Sequence, residues 1–156
     1  MELDKNSTQY NLIENIIKFK HIYLSEISLI KNTLYYNEQL FNIQTPIFKH
    51  YNSLSYNNKL YLQLFINNYK SNHVKFLNFI DSIELFFKNN NKTFKSQIIH
   101  DINNMSIKIK LSDDNKIFNS RKNEINILTG KPLILLIKFD INDDHYSIIC
   151  NQILEI

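Results

Sequence analysis

The residues nearest to a catalytic constellation lie close to the C-terminus. Asp143, Asp144, His145 and Cys150 are the parts of a thiolate nucleophile with an imidazole base and a carboxylate to orient it. Their spacing argues against that use. Positions an odd number apart on one extended strand face opposite sides, and at a rise of about 3.4 Å per residue His145 and Cys150 stand roughly 17 Å apart. A buried thiol next to a hairpin tip with turn-forming aspartates accounts for all four residues. Asp113-Asp114 and Asp143-Asp144 offer carboxylates to a hard cation only if their two loops meet at one end of a sheet, and solvated acidic turns explain them without that condition. No catalytic residue and no metal site is assigned.

Other chemistries are excluded by residue type. A phosphate-cradling loop needs several glycines so that successive backbone N–H groups can close around an anion, and Gly130 stands alone. Walker-type and dinucleotide-binding motifs are therefore absent, and no cofactor is expected. The histidines, His21, His50, His73, His100 and His145, include no helical metal-binding pair. With Cys150 as its one cysteine the chain cannot form an internal disulfide.

Two surfaces remain. Lys88, Lys92 and Lys95 lie among Phe86, Phe87 and Phe94, a basic, aromatic-interleaved pattern of the kind that binds a nucleic-acid strand, although Arg121 is the only arginine available for bidentate contacts. Tyr35, Tyr36, Phe41, Tyr51, Tyr56 and Tyr69 are more aromatic rings than one small core needs, and aromatic enrichment marks protein interfaces. The leading expectation is thus a non-catalytic interaction or assembly protein, a subunit, adaptor, immunity or host-interaction factor whose partner is another protein. One alternative is a small hydrolase or transferase with a site gathered from distant residues, headed by His145, Asp143 and Cys150. The other is a nucleic-acid-binding module that uses lysine and aromatic residues.

The elements that must position these residues follow from periodicity. Leu12, Ile16, Phe19, Tyr23, Ile27, Ile30 and Leu34 recur at spacings of three and four, which predicts a long helix from about Gln9 into the thirties. Thr45-Pro46 predicts a helix start, Leu60 to Tyr69 another helical face, and Val74, Leu77, Ile80, Ile83 and Phe87 a further helix ended by Asn89-Asn90-Asn91. Thr93 would cap a last short helix to about Ile102. After Asn104 the period becomes two. Ile107, Ile109 and Leu111 form a strand, Asp113-Asp114-Asn115 a turn, Leu133–Ile141 a buried strand, and Tyr146 to Asn151 its hairpin return. The expected fold is α+β in a single domain, 1–156: a bundle-like part of about four helices over 1–104, then a small antiparallel sheet over 105–156. In outline, a helical part followed by a sheet ending in Leu133–Asp140 and Tyr146–Cys150 is similar to the RWD-like ends of some kinetochore subunits. That resemblance spans only the last third and carries over no site residue.

Composition sets the remaining bounds. The 156 residues include 11 Phe and 9 Tyr, no Ala, and single Val, Arg, Gly and Cys, a skew that an AT-rich genome explains. The net charge of +3 is mild, with lysines spread along the chain. The longest apolar run, Leu133–Ile137, is far below the ~20 residues of a membrane-spanning helix, and the start lacks a signal-peptide layout. The expected location is the cytoplasm, or the nucleus of a eukaryote, and the sequon-like triplets at Asn6, Asn91 and Asn104 are chance matches.

Overall fold

A computed structural model describes residues 17–18 and 22–156. Its first half is built on asparagine turns. Lys31-Asn32, Asn37-Glu38 and Asn57-Asn58 all have positive φ, between 48° and 68°. Two successive left-handed residues make the tight hairpin turn whose twist matches the strands it joins, and asparagine tolerates that region better than most side chains. These turns link β2 (Ile27–Ile30) to β3 (Thr33–Tyr36), β3 to β4 (Gln39–Leu40), and β6 (Tyr51–Tyr56) to β7 (Lys59–Phe65). In a chain with one glycine, asparagine takes over the backbone positions that glycine usually serves.

The larger sheet closes on itself. β5 (Asn42–Gln44) pairs with β11 (Leu133–Ile141), Phe48 bridges Leu133, and the same stretch of chain then runs into β6. β6 pairs with β7, β7 with β9 (Met105–Phe118), and β9 in parallel with β12 (Tyr146–Glu155), which returns to β11 as an antiparallel hairpin. The result is a Greek-key barrel of the oligonucleotide-binding type, in which β7 and β9 are the second and third strands. Three short strands lie outside this circuit: β1 (Ile17–Lys18) beside β5, and β8 (Ile98–His100) and β10 (Glu124–Ile125) beside β9.

Alternation along the strands fills the barrel. Leu62, Leu64, Ile107, Ile109, Leu135, Ile137, Ile148 and Cys150 point inward and are buried. Helix α1 (Ser71–Asn89) lays its apolar stripe on this interior. Phe76 meets Phe48 with ring centres 6.0 Å apart, and Phe87 meets Tyr146 at 5.1 Å and Phe139 at 6.4 Å. The buried carboxylate of Glu84 is satisfied by donors from three residues: the Ser96 hydroxyl at 2.7 Å, the Gln97 backbone N–H at 3.1 Å and the Tyr146 hydroxyl.

The expected fold class is corrected by this architecture. The described residues are mostly strand around one long helix, not a bundle of about four helices over 1–104 followed by a small sheet. The outline that suggested the RWD-like resemblance is therefore not formed. Of the first predicted helix, from about Gln9 into the thirties, residues 9–16 and 19–21 lie outside the described part, and from Ile27 the chain forms the hairpin strands β2 and β3. The three-and-four spacing misleads because a two-residue hairpin also brings such residues together. Ile30 pairs with Thr33, three positions on. Thr45-Pro46 starts no helix. Thr45 Oγ1 instead accepts the Leu135 N–H at 3.0 Å, stitching the barrel seam. The stretch after Thr93 holds β8, and Asp113-Asp114-Asn115 sits inside β9, where that strand bulges against β12: Leu111 and Lys116 face Cys150 and Gln152. The helix predicted around Val74 to Phe87 and the C-terminal hairpin are present.

Candidate nucleic-acid interface

From Tyr61 to Phe65 on β7 and from Ile107 to Lys110 on β9, half-exposed residues alternate with buried ones. Lys59, Tyr61, Gln63 and Phe65 share one face with Lys108, Lys110 and the buried Ser106, because Tyr61 is opposite Lys110, Gln63 opposite Lys108, and Phe65 opposite Ser106. The row continues outward across β6 to Leu54 and Tyr56, and across β12 and β11 to Ile149 and Lys138. Lys108 Nζ stands 4.4 Å from the centre of the Tyr61 ring, a cation–π contact. The Gln63 side-chain amide donates to Ser106 Oγ at 2.8 Å, which fixes its head on this face. Among the described residues Lys108 and Lys110 make no ion pair. A flat, half-exposed ring with free ammonium groups at strand spacing can stack a base and hold its phosphates.

The sequence-derived candidates are divided by the fold. Tyr36 and Phe41 are core residues, their rings 5.9 Å apart. Tyr35 is half-buried on β3, and Tyr51 is half-buried with its hydroxyl donating to the Lys131 carbonyl at 3.1 Å. Tyr56 and Tyr69 are exposed, Tyr69 almost fully at 99%. The lysine and phenylalanine cluster is structural: Phe87 is buried, Phe94 packs edge-on against Phe87 and Tyr146, and Lys92 is held by Asp143 at 2.8 Å and Asn32 at 2.7 Å. That pair holds the exposed Asp143 carboxyl below its ordinary range. Period-two alternation points to this candidate face, since Lys-x-Tyr-x-Gln-x-Phe and Ser-x-Lys-x-Lys alternate with aliphatic residues. The helical face expected from Leu60 to Tyr69 is instead strand β7 up to Phe65.

The cysteine site is not assembled. Cys150 is fully buried, its thiol donates to the Gln152 carbonyl at 3.2 Å, and desolvation pushes its pKa up to about 12. His145 lies at the exposed hairpin tip between Asp144 at 3.0 Å and Asn142 at 3.0 Å. Among the described residues no three His, Cys, Asp or Glu side chains cluster so as to hold a metal ion, and no helix is long and apolar enough to cross a membrane. Burial and the Glu84 carboxylate push the Tyr146 phenol upward as well. Both groups keep their protons in the native state at a pH where the unfolded chain, near 9 to 10, has begun to lose them. Stability is thus full below about pH 8.5 and is lost as pH rises above it. The slope approaches about 1.4 kcal/mol per pH unit for each group. Urea titrations between about pH 8 and 11 check this, with Tyr146→Phe expected to flatten the upper part of the decline.

No family model and no curated protein matches the chain. Its fold is shared with solved structures of the single-stranded DNA-binding protein from bacteriophage Enc34. The structure in complex with single-stranded DNA superposes with a TM-score of 0.55 at 14% identity, covering 83% of this chain and 92% of that one. A C-terminal truncation gives 0.53 at 17%, covering 82% and 91%, and a further structure gives 0.52 at 16%, covering 82% and 86%. At such identities the likeness is one of fold. It overturns the leading expectation of an adaptor or complex subunit, since the neighbours are DNA-binding proteins and nothing in the comparison supports a protein partner. The nucleic-acid alternative fits better.

Proposed function

We propose that this protein binds single-stranded nucleic acid along the outer face of β7 and β9. The observation that carries the reading is the placement of Tyr61 and Phe65 beside Lys108 and Lys110 on one half-exposed face of a closed barrel. Barrels of this type use the face of their second and third strands and the adjoining loops for oligonucleotides. Those loops here are the Asn57-Asn58 turn and Asn142–His145. The fold shared with the Enc34 protein, which binds single-stranded DNA, supports the assignment. Stacking is tolerant of base identity, so affinity should vary little with sequence. Such a role places the protein in a compartment that holds nucleic acid, the cytoplasm or nucleus.

The test is the anisotropy of a labelled oligothymidylate titrated with protein at several salt concentrations. Three lysines on the face, Lys59, Lys108 and Lys110, each meeting one phosphate give a slope of log affinity against log salt of about −2. A duplex of equal length should compete weakly. Salt-independent binding, or equal affinity for duplex and single strand, would overturn the reading.

A further inference from the structure

At the far end of β7 the outward row runs into a cleft. Phe65 lines its mouth, and the walls are the segment from Pro46 to His50 and the segment from Asn67 into the first turn of α1, enclosing about 840 Å³. Two shallower depressions open from the same place, and both share His50 and Phe65 with it. Among the described residues none that lines the three is acidic, although the chain carries 15 acidic side chains. The cleft instead presents Lys49, Lys70 and His50, all exposed, and among the described residues neither lysine makes an ion pair. Phe65 and the exposed Tyr69 supply ring faces, and Asn68, Asn103 and Asn104 supply amides that can both donate and accept.

The walls are tied together. The Asn67 backbone N–H donates to His73 Nδ1 at 3.0 Å, so that nitrogen carries no proton, and His73 Nε2 therefore donates to the Ile47 carbonyl at 2.7 Å. The buried ring rests on Phe48 with centres 4.4 Å apart. The imidazole thus joins one wall to the other.

We propose that this cleft is a nucleotide site, taking a base against Phe65 or Tyr69 and its phosphate between Lys49 and Lys70. A volume of this size accommodates a base, a sugar and a phosphate. An acid-free lining with two free ammonium groups selects an anion, and rings with amides select a flat, hydrogen-bonding body. The inference rests on the single-strand reading given above, because continuity with the Tyr61–Phe65 row makes the ligand one nucleotide of the bound strand. A free mononucleotide has the same chemistry, and the experiment separates the two sources.

Three measurements are made on the full chain. Oligothymidylates of increasing length are titrated into wild type, Lys49→Ala/Lys70→Ala and Lys108→Ala/Lys110→Ala, and thymidine 5′-monophosphate is titrated against the histidine ring signals of wild type and the cleft variant. A strand nucleotide in the cleft predicts that Lys49→Ala/Lys70→Ala weakens long strands and makes their salt slope shallower by about 0.7, the share of the one phosphate held there. Strands too short to leave the β7–β9 face should bind that variant as they bind wild type, whereas Lys108→Ala/Lys110→Ala weakens strands of every length. An unaltered long-strand affinity together with a His50 shift by the mononucleotide, lost in the cleft variant, supports the site and assigns it to a free nucleotide. Neither a strand effect nor a mononucleotide shift overturns the cleft and leaves the β7–β9 face to be judged by its own variant. If strands fail to bind wild type while the mononucleotide still shifts His50, the face reading falls and the cleft stands.

Discussion

Tyr61→Ala is expected to weaken the binding of a single-stranded oligonucleotide by about 1 to 3 kcal/mol, roughly 5- to 150-fold in the dissociation constant. The ring is half-exposed at the centre of the outward row, between Leu54 on one side and Lys110 on the other. A base stacked there gains dispersion contact on one face, and the charge of Lys108, 4.4 Å from the ring centre, lies close enough for its phosphate to share. Truncation removes the platform and leaves the charge, so the salt slope should stay near its wild-type value while affinity drops. Tyr61→Phe keeps the platform and should bind within a factor of a few of wild type. Tyr35→Ala, on β3 of the small sheet and outside β6, β7 and β9, serves as the control. An unchanged affinity for Tyr61→Ala would move the stacking platform elsewhere. Because the position is outward and only half-buried, the variant should remain folded, which circular dichroism checks.

How much of this was legible in the sequence depends on how each element was stabilised. The C-terminal hairpin could be read because Leu133–Ile141 is a short, nearly continuous aliphatic run that an acidic turn separates from the alternating residues Tyr146 to Asn151. The helix from Ser71 could be read because its buried face, from Phe76 to Phe87, holds a sustained helical stripe. The first half could not, for two physical reasons. Glycine is the usual marker of tight hairpins, and here Asn32, Asn37, Asn57 and Asn58 occupy the left-handed positions in a chain where asparagine is common everywhere. Cross-strand pairing through a two-residue turn then places Ile30 against Thr33 and Leu54 against Tyr61, intervals of three and seven that overlap with helical spacing. Closure of the barrel depends on contacts far apart in the chain, Ile43 with Ile137 and Phe48 with Leu133, that no local pattern encodes.

The candidate site shows the same division. Lysines and aromatic rings also make up the proposed nucleic-acid face, yet in the cluster that suggests it in sequence, Lys88 to Lys95 with its phenylalanines, Phe87 and Phe94 pack against Tyr146 and Lys92 is held by Asp143, while Lys88 and Lys95 stay exposed. The face that carries the chemistry is dispersed over β6, β7 and β9 and becomes visible only when Tyr61 and Lys110 are known to be opposite each other. Tyr56 and Tyr69 were singled out as surplus aromatics, and both are exposed at the margins of that face and of the cleft. Their surplus has an explanation that needs no protein partner, because a strand of unpaired bases uses rings in the same way.

Phe87→Ala is expected to cost about 3 to 5 kcal/mol, the range for removing a fully buried phenylalanine and leaving a cavity. A domain of this size has only about 5 to 15 kcal/mol in total, so the variant should stand close to the unfolding threshold. Phe87 has no exposed surface, and its ring touches those of Phe86, Phe94, Phe139 and Tyr146. It thereby joins the last turn of α1 to the barrel interior and to the loop that carries Ser96 and Gln97. Those two residues, with Tyr146, satisfy the Glu84 carboxylate. A cavity beside Tyr146 loosens the hydroxyl that donates to Glu84, and a buried carboxylate that loses a donor adds to the penalty. Phe87→Leu fills most of the space and should cost about half as much. Urea unfolding followed by fluorescence of the tyrosines measures both variants. A cost below about 1 kcal/mol for Phe87→Ala would mean that α1 is not held to the barrel through this ring, and that Phe76 against Phe48 at the other end of the helix carries the attachment.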